Sequence, residues 1–448
     1  MSGRPLDCCF FGAASERRSH FFARNAALFA GMAAYLRLES RNTPLLYGKN
    51  SSLSTQAVCS IIRRSKVSLN VHQSEHAYFE WHRIVLQGIW HGTVVLSEPC
   101  TDAWPFHPDE DYIAASLEDM PAVLDYVLHS VEGIRWAEKI RQHAWETLTG
   151  NPLALRWQAI TGLYAVRPCP QHGPEAEASR MCSADSHAAP QGRLMKTLFS
   201  AGTGGMPLVS VLISLYNYSQ YIEEALDSVA SQTLEDIELI ICNDCSTDGG
   251  EKVTENWLRN NEQRFCRALL IENAVNSGLP ATRNATLSCA QAPYLFILDA
   301  DNVIFPSCLE KHAAALQEAE DDVAFVYSQR LVFTHENRSD CHLENLPDWD
   351  IPLLTLGNYI DAMVMHRADM LKRVGGYAAE APFDRLGLED YELWFKYMEA
   401  GLRGIKLHQP LIAYRVHQSS MLRTTTQYKE SLILQALRNK YSRYFIGD

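Results

Sequence analysis

Asp299 and Asp301, one residue apart, close an apolar run, Leu295-Phe296-Ile297-Leu298, made of strand-favouring residues. A buried strand ending in two carboxylates delivers them to the rim of a parallel sheet, and oxygen-rich rims hold hard cations. Magnesium and manganese take one or two carboxylates and complete their shells with water and substrate phosphates, so this spacing suggests a metal–diphosphate site. The alternative is a strand closing in an acidic turn, because Asp and Asn are ordinary strand-ending residues. Asn243-Asp244 ends a second apolar run, 237–242, and Glu389-Asp390 opens a segment running through Trp394 with helical spacing. Arg283 carries a fixed guanidinium fork that suits a diphosphate, and the neutral imidazole of His417 can ligate Mn²⁺. Adjacent carboxylates raise one another's pKa, which moves Glu389 or Asp390 toward the range of a general base.

The elements that must carry these residues alternate between strand and helix, which implies parallel sheets of the doubly wound kind. A first series has strands near 7–12, 67–71 and 92–98, helices over 17–32 and 75–91, and a continuation through 112–114, 120–128 and 132–148. Residues 1–160 are therefore expected to form a Rossmann-like α/β domain. Across 161–205 the composition turns to Pro, His, Ser, Ala and Gly without periodicity, ending in Ser200-Ala201-Gly202-Thr203-Gly204-Gly205, which reads as a linker. From Met206 strands at 208–214, 237–242, 268–272 and 295–299 alternate with helices at 221–231, 251–261 and 280–290, so 206–448 is expected to be a second α/β domain. All the acidic strand ends fall where open α/β sheets bind ligands.

Length and composition narrow the function classes. A chain of 448 residues, 47% hydrophobic and 21% charged, can bury a large core divided among two or three domains. A formal charge of −13 with no Lys/Arg cluster argues against nucleic acid as a partner. No apolar run is long enough to cross a bilayer, and the N-terminus carries no secretory pattern, so a cytoplasmic enzyme is expected. Twelve cysteines lack paired C-x-x-C spacing, which predicts neither a zinc site nor a disulfide framework; Cys8-Cys9 read as small buried hydrophobes.

Taken together, Pro207-Leu208-Val209-Ser210-Val211-Leu212-Ile213 with Tyr216-Asn217, then Asn243-Asp244-Cys245-Ser246-Thr247-Asp248-Gly249, Asn276 to Asn284, Asp299-Ala300-Asp301, Gly387-Leu388-Glu389-Asp390 and Tyr414-Arg415-Val416-His417 resemble the family 2 inverting glycosyltransferases of the GT-A fold. The resemblance covers roughly half of the chain, and Asn243 and Cys245 stand where the family usually has Asp and Gly. It implies a nucleotide-sugar donor, most simply a UDP-sugar, a glycan or glycoconjugate acceptor, and Mn²⁺ or Mg²⁺ as cofactor. By the same resemblance Asp244 reads the uracil, Ser214, Leu215, Asn217 and Asn276 line the nucleotide, and Arg283 faces the diphosphate. Asp299 and Asp301 hold the metal, His417 joins them, and Asp390 deprotonates the acceptor with Glu389 beside it. Asp384 is placed toward the acceptor.

Within the first 150 residues, Glu80-Trp81-His82-Arg83 leading to Gly92-Thr93-Val94-Val95-Leu96-Ser97-Glu98-Pro99 resembles the donor-binding half of a GT-B glycosyltransferase of the spore-maturation-like group. A GT-B enzyme needs two such halves, so this domain is expected to be a remnant or docking unit. His72, Glu75 and His82 read as a polar helix face. The rival functions are a non-catalytic scaffold binding nucleotide sugar or glycan, and a nucleotidyltransferase. The latter calls for a Gly-rich phosphate loop after its first strand, which Ser214-Leu215-Tyr216-Asn217 is not.

Overall fold

Two sheets organise the chain in the computed structural model, which describes residues 3–39, 53–76, 78–150, 195–334, 341–381, 383–385, 387–417 and 427–445. The first sheet contains β1 (Leu6–Ala13), β2 (Ala34–Glu39), β3 (Ser65–Asn70), β4 (Val94–Ser97) and β5 (Ile113–Ala114), all parallel in the order β2-β1-β3-β4-β5. That is the doubly wound arrangement expected of a Rossmann-like unit. Cys8 and Cys9 are fully buried in β1, as small hydrophobes are.

The expected helix over 75–91 is shorter than its spacing suggests. Among the described residues the helix runs only from about His82 to Gly88, in a wide turn that tightens at Ile89–His91, while 71–76 and 78–80 run irregularly. Side chains hold that stretch instead. Glu98 accepts from the His72 amide at 2.6 Å and pairs with Arg17, and Glu80 pairs with Arg83 at 2.9 Å. His72 is consequently buried at the end of β3, whereas Glu75 and His82 are exposed.

The second, mixed sheet contains β6 (Met195–Ala201), β7 (Val209–Leu215), β8 (Ile237–Asn243), β9 (Arg267–Asn273), β10 (Tyr294–Asp299), β11 (Val303–Ile304), β12 (Val323–Thr334), β13 (Cys341–Glu344), β14 (Met365–Arg367) and β15 (Arg403–Val416). Its order is β11-β15-β12-β14-β10-β7-β8-β9-β6, with β13 pairing β12. Four neighbours, β10, β7, β8 and β9, are parallel, while β14 and β6 run antiparallel beside them. This is the GT-A type of mixed sheet flanked by helices. Every residue of β8 is buried, because helices cover both faces and an alternating pattern would waste one of them.

Residues 161–194 of the expected linker lie outside the described residues. Its remainder contains β6, which pairs antiparallel with β9 from Met195 to Ala201, so the second sheet reaches back into the segment that composition reads as linker. As an edge strand it needs only one neighbour, and most of its side chains stay exposed. The two sheets also share a core: Phe21, Phe22, Leu36 and Leu38 pack in one buried cluster with Phe333, Cys341, Leu343 and Ala413.

Candidate active site

The carboxyl ends of β7, β8 and β10 open into a cleft of about 870 Å³, also lined by residues 344–347, 358–362, 384 and 387–390. Ser214, Leu215, Asn217, Asp244, Asn276, Arg283, Asp299, Asp301, Asp384, Glu389 and Asp390 all border it, so residues scattered over almost 180 positions are brought to one space. His417 does not line the cleft; it reaches Asp301 from behind.

At the β7 end, Asn217 adopts a left-handed backbone (φ 56°), and its side-chain oxygen accepts from the Thr247 amide at 2.8 Å while its amide donates to Ser246 Oγ at 3.1 Å. The loops after β7 and β8 are thereby tied into one edge. Asp244 is almost fully buried and accepts three bonds: from Asn273 Nδ2 at 2.7 Å, Ser277 N at 2.8 Å and Gly278 N at 2.9 Å. Its Oδ2 takes only the last of these, and a carboxylate oxygen has room for a second donor. Gly278, with φ 83° and ψ 161°, occupies a region essentially reserved for glycine, and this lets its amide face Asp244 at the start of the Leu279–Cys289 helix. Asn276 points its amide at the Asp244 carbonyl, 3.3 Å away.

Arg283, one turn into that helix, is the hub of the cleft floor. Its guanidinium pairs with Glu389 Oε1 and, at 2.8 Å, with Asp299 Oδ1, and lies 5.3 Å from the centre of the Tyr377 ring. Burial alone would lower its pKa; Glu389 and then Asp299 outweigh that and hold the guanidinium above its ordinary range. The fork is thus occupied by two carboxylates of this chain.

Asp299 keeps 29% of its side chain open to the cleft. Desolvation nevertheless pushes it up to about 7, with Arg283 pulling down and Asp301 and Asp361 pushing further up. Asp301 Oδ2 stands 2.9 Å from His417 Nε2, and His417 packs against Tyr221 at 4.9 Å between ring centres. Arg415 locks this corner: its Nε donates to the Asp301 carbonyl at 2.8 Å, its amide to Asn302 Oδ1 at 2.8 Å, and it pairs with Glu224 at 2.7 Å.

Glu389 and Asp390 begin the Glu389–Glu399 helix after two left-handed residues, Gly387 (φ 77°) and Leu388 (φ 60°). A left-handed leucine costs on the order of 1 kcal/mol, and such strain gathers where a side chain must be aimed. Asp390 Oδ1 accepts from the Tyr391 amide at 2.7 Å and Oδ2 from Asn358 Nδ2 at 3.0 Å. Burial, then neighbouring Glu389, raise it to about 7. Glu389 Oε2 and Ser214 Oγ are buried with no hydrogen-bond partner among the described residues.

Sequence reading missed four residues that complete the cleft. Arg330 from β12 pairs with Asp361 and, at 2.6 Å, with Glu344, while Asn358 supports Asp390. They lie in segments without a motif, and only the pairing of β12 with β13 and β14 brings them inward.

The donor set at Asp301 and His417, a carboxylate that borders the cleft and an imidazole nitrogen 2.9 Å behind it, fits Mn²⁺ or Mg²⁺ with phosphate and water completing the shell. Among the described residues, no group of three or more His, Cys, Asp or Glu side chains gathers to form a site without such help. Among the described residues, no helix is long and apolar enough to cross a membrane.

Comparison with known proteins places these features in a family. Residues 210–375 match the family described as Glycosyl transferase family 2. The putative glycosyltransferase EpsE of Bacillus subtilis is 31% identical over 237 residues, spanning 52% of this chain and 82% of that protein. The Escherichia coli protein WfaP, a UDP-Glc:alpha-D-GlcNAc-diphosphoundecaprenol beta-1,3-glucosyltransferase, is 25% identical over 50% of this chain and 83% of its own length. The crystal structure of S. aureus TarS 1-349 in complex with UDP-GlcNAc aligns with a TM-score of 0.39 at 20% identity, covering 48% of this chain and 61% of that one. The chain belongs to glycosyl transferase family 2 and is a glycosyltransferase.

Proposed function

We propose that the cleft transfers a sugar, with inversion, from a UDP-sugar to a hydroxyl of a glycan or glycoconjugate acceptor, with Mn²⁺ or Mg²⁺ as cofactor. The observation that carries this reading is the bridge made by Arg283, whose guanidinium holds Glu389, next to Asp390, on one branch and Asp299, two residues from Asp301, on the other. Inversion needs a base and a leaving-group site on opposite faces of the sugar, and the two acid pairs supply them.

Asp390, kept near neutrality by burial, takes the acceptor proton; Asn358 and the Tyr391 amide hold its carboxylate still. Asp244 and the amides around it receive the uracil, Oδ2 being the acceptor for the ring N–H. Asp301 and His417 would hold the metal, which when bound neutralises charge on the departing diphosphate. Arg283 orients both carboxylate pairs rather than gripping the diphosphate. The relatives' printed substrates, UDP-Glc for WfaP and UDP-GlcNAc for TarS, favour a UDP-linked donor.

Calorimetry of UDP with and without Mn²⁺ tests the proposal. Metal-dependent UDP binding that disappears in Asp301→Ala is expected; absence of UDP binding in the unaltered protein would favour a scaffold instead.

A further inference from the structure

One wall of the cleft packs against the other sheet. Residues 344–347, which border the cleft opposite the β7 and β8 edge, continue directly from β13. That strand pairs with β12 on one side. Toward the N-terminal domain, Leu343 and Cys341 are buried in the same cluster as Phe21, Phe22, Leu36 and Leu38.

Polar contacts fix the register of this docking. Ser19 Oγ donates to the Leu343 carbonyl at 2.6 Å, and Arg37 pairs with Asp348 at 2.8 Å. Gln329 Nε2 donates both to the Leu36 carbonyl at 2.6 Å and to Asn345 Oδ1 at 2.8 Å. Asn345 Nδ2 in turn donates to the Leu38 carbonyl. With its oxygen accepting from Gln329 and its nitrogen spent on β2, the Asn345 amide has one satisfied orientation, and β2 sets it.

The same wall connects inward. Glu344, one residue before Asn345, pairs with Arg330, and Arg330 pairs with Asp361 on the segment that also carries Asn358, the partner of Asp390. We infer that the N-terminal domain is a positioning part of the transfer site: by docking β13 it fixes the cleft wall opposite the nucleotide edge, and through Glu344, Arg330 and Asp361 it sets the segment that supports Asp390. Asp244 is tied to Asn276 and to Asn273 of β9, and Asn217 to Thr247 of the loop that follows Asp244, so the nucleotide side stands apart from this docking.

This inference rests on the proposed function in naming the wall as the acceptor side, yet its physical core can be tested separately in the full chain. In the double variant Ser19→Ala, Arg37→Ala, amide hydrogen exchange is expected to quicken at least about tenfold over both 341–348 and 358–363. UDP affinity is expected to stay within about twofold of the unaltered protein, and Ser19→Thr with Arg37→Lys is expected to restore slow exchange. Unchanged exchange at 358–363, or quickening confined to 341–348, would overturn the inference, as would a matching loss of UDP affinity. Should the double variant unfold, Ser19→Ala alone, which removes one hydroxyl, gives the same comparison. Failure of the unaltered protein to bind UDP would instead count against the proposed function and leave the exchange result readable.

Discussion

Arg283 and Glu389 are 106 positions apart in the chain and meet as an ion pair sealed from solvent, with Asp299 on the other branch of the same guanidinium. Removing one partner of such a set leaves uncompensated charge in a low-dielectric interior, which is costlier than the pair is stabilising. Arg283→Ala is expected to lower unfolding free energy by about 3–5 kcal/mol, measured by urea denaturation. Arg283→Lys, a point charge without the fork, should recover only part of it. A loss below about 1 kcal/mol for Arg283→Ala would contradict the hub role.

Asp390→Asn preserves the shape and the Asn358 contact region but cannot accept a proton. Loss of a general base costs about 10²–10⁴ in turnover, so kcat should fall by that factor while calorimetric UDP binding stays near its original value. Near-normal turnover would move the base elsewhere.

The raised pKa of Asp390 fixes two opposite pH trends. Transfer should rise as pH increases through about 7, because the base must lose its proton. Stability should move the other way. An unfolded aspartate titrates at about 4, so between about pH 4 and 7 the folded state binds the extra proton, and stability falls as pH climbs through that window. Asp390→Asn removes this term and should make the protein more stable by on the order of 1 kcal/mol above pH 7, read from denaturation at pH 5 and pH 8.

Asn358 is held with its oxygen toward Trp394 Nε1 at 3.2 Å and the Ile360 amide at 3.3 Å, which leaves its nitrogen to face Asp390. Trp394→Phe keeps an aromatic ring but deletes the indole donor. Both Asn358→Ala and Trp394→Phe are expected to lower kcat several-fold and to move the pH midpoint upward, since a donor to the charged carboxylate is lost or loosened. An unmoved midpoint in Asn358→Ala would rule out this support.

His417→Ala removes the imbalance of donors at Asp301 in favour of oxygen alone. Mn²⁺ affinity in the presence of UDP should weaken at least about tenfold, while UDP binding measured with EDTA should not change. Equal Mn²⁺ affinity in the variant would remove His417 from the site.

Much of the second sheet was legible in sequence because its strands are buried on both faces and read as unbroken apolar runs; 237–242 and 294–299 need no tertiary information to be recognised. Their acidic ends were legible for the same reason, since a charge can follow such a run only at the rim. The helix over 75–91 failed because apolar periodicity cannot register that Glu80 and Glu98 would be claimed by Arg83, Arg17 and the His72 amide. The β6 edge strand was missed because it lies inside a stretch that composition reads as linker, most of its side chains are exposed, and it draws its order from β9.

Local sequence by itself determined which residues could do chemistry and which strand or helix end each would occupy, because burial pattern and chain stiffness act over a few neighbouring residues. Only the tertiary structure decided how those residues divide the work. It paired Arg283 with both Glu389 and Asp299, brought Asn358 to Asp390 and Asp361 to Arg330, and set the first domain against β13. Those outcomes depend on hydrogen bonds and desolvation between segments tens to hundreds of residues apart, which no local pattern of apolar and polar residues encodes.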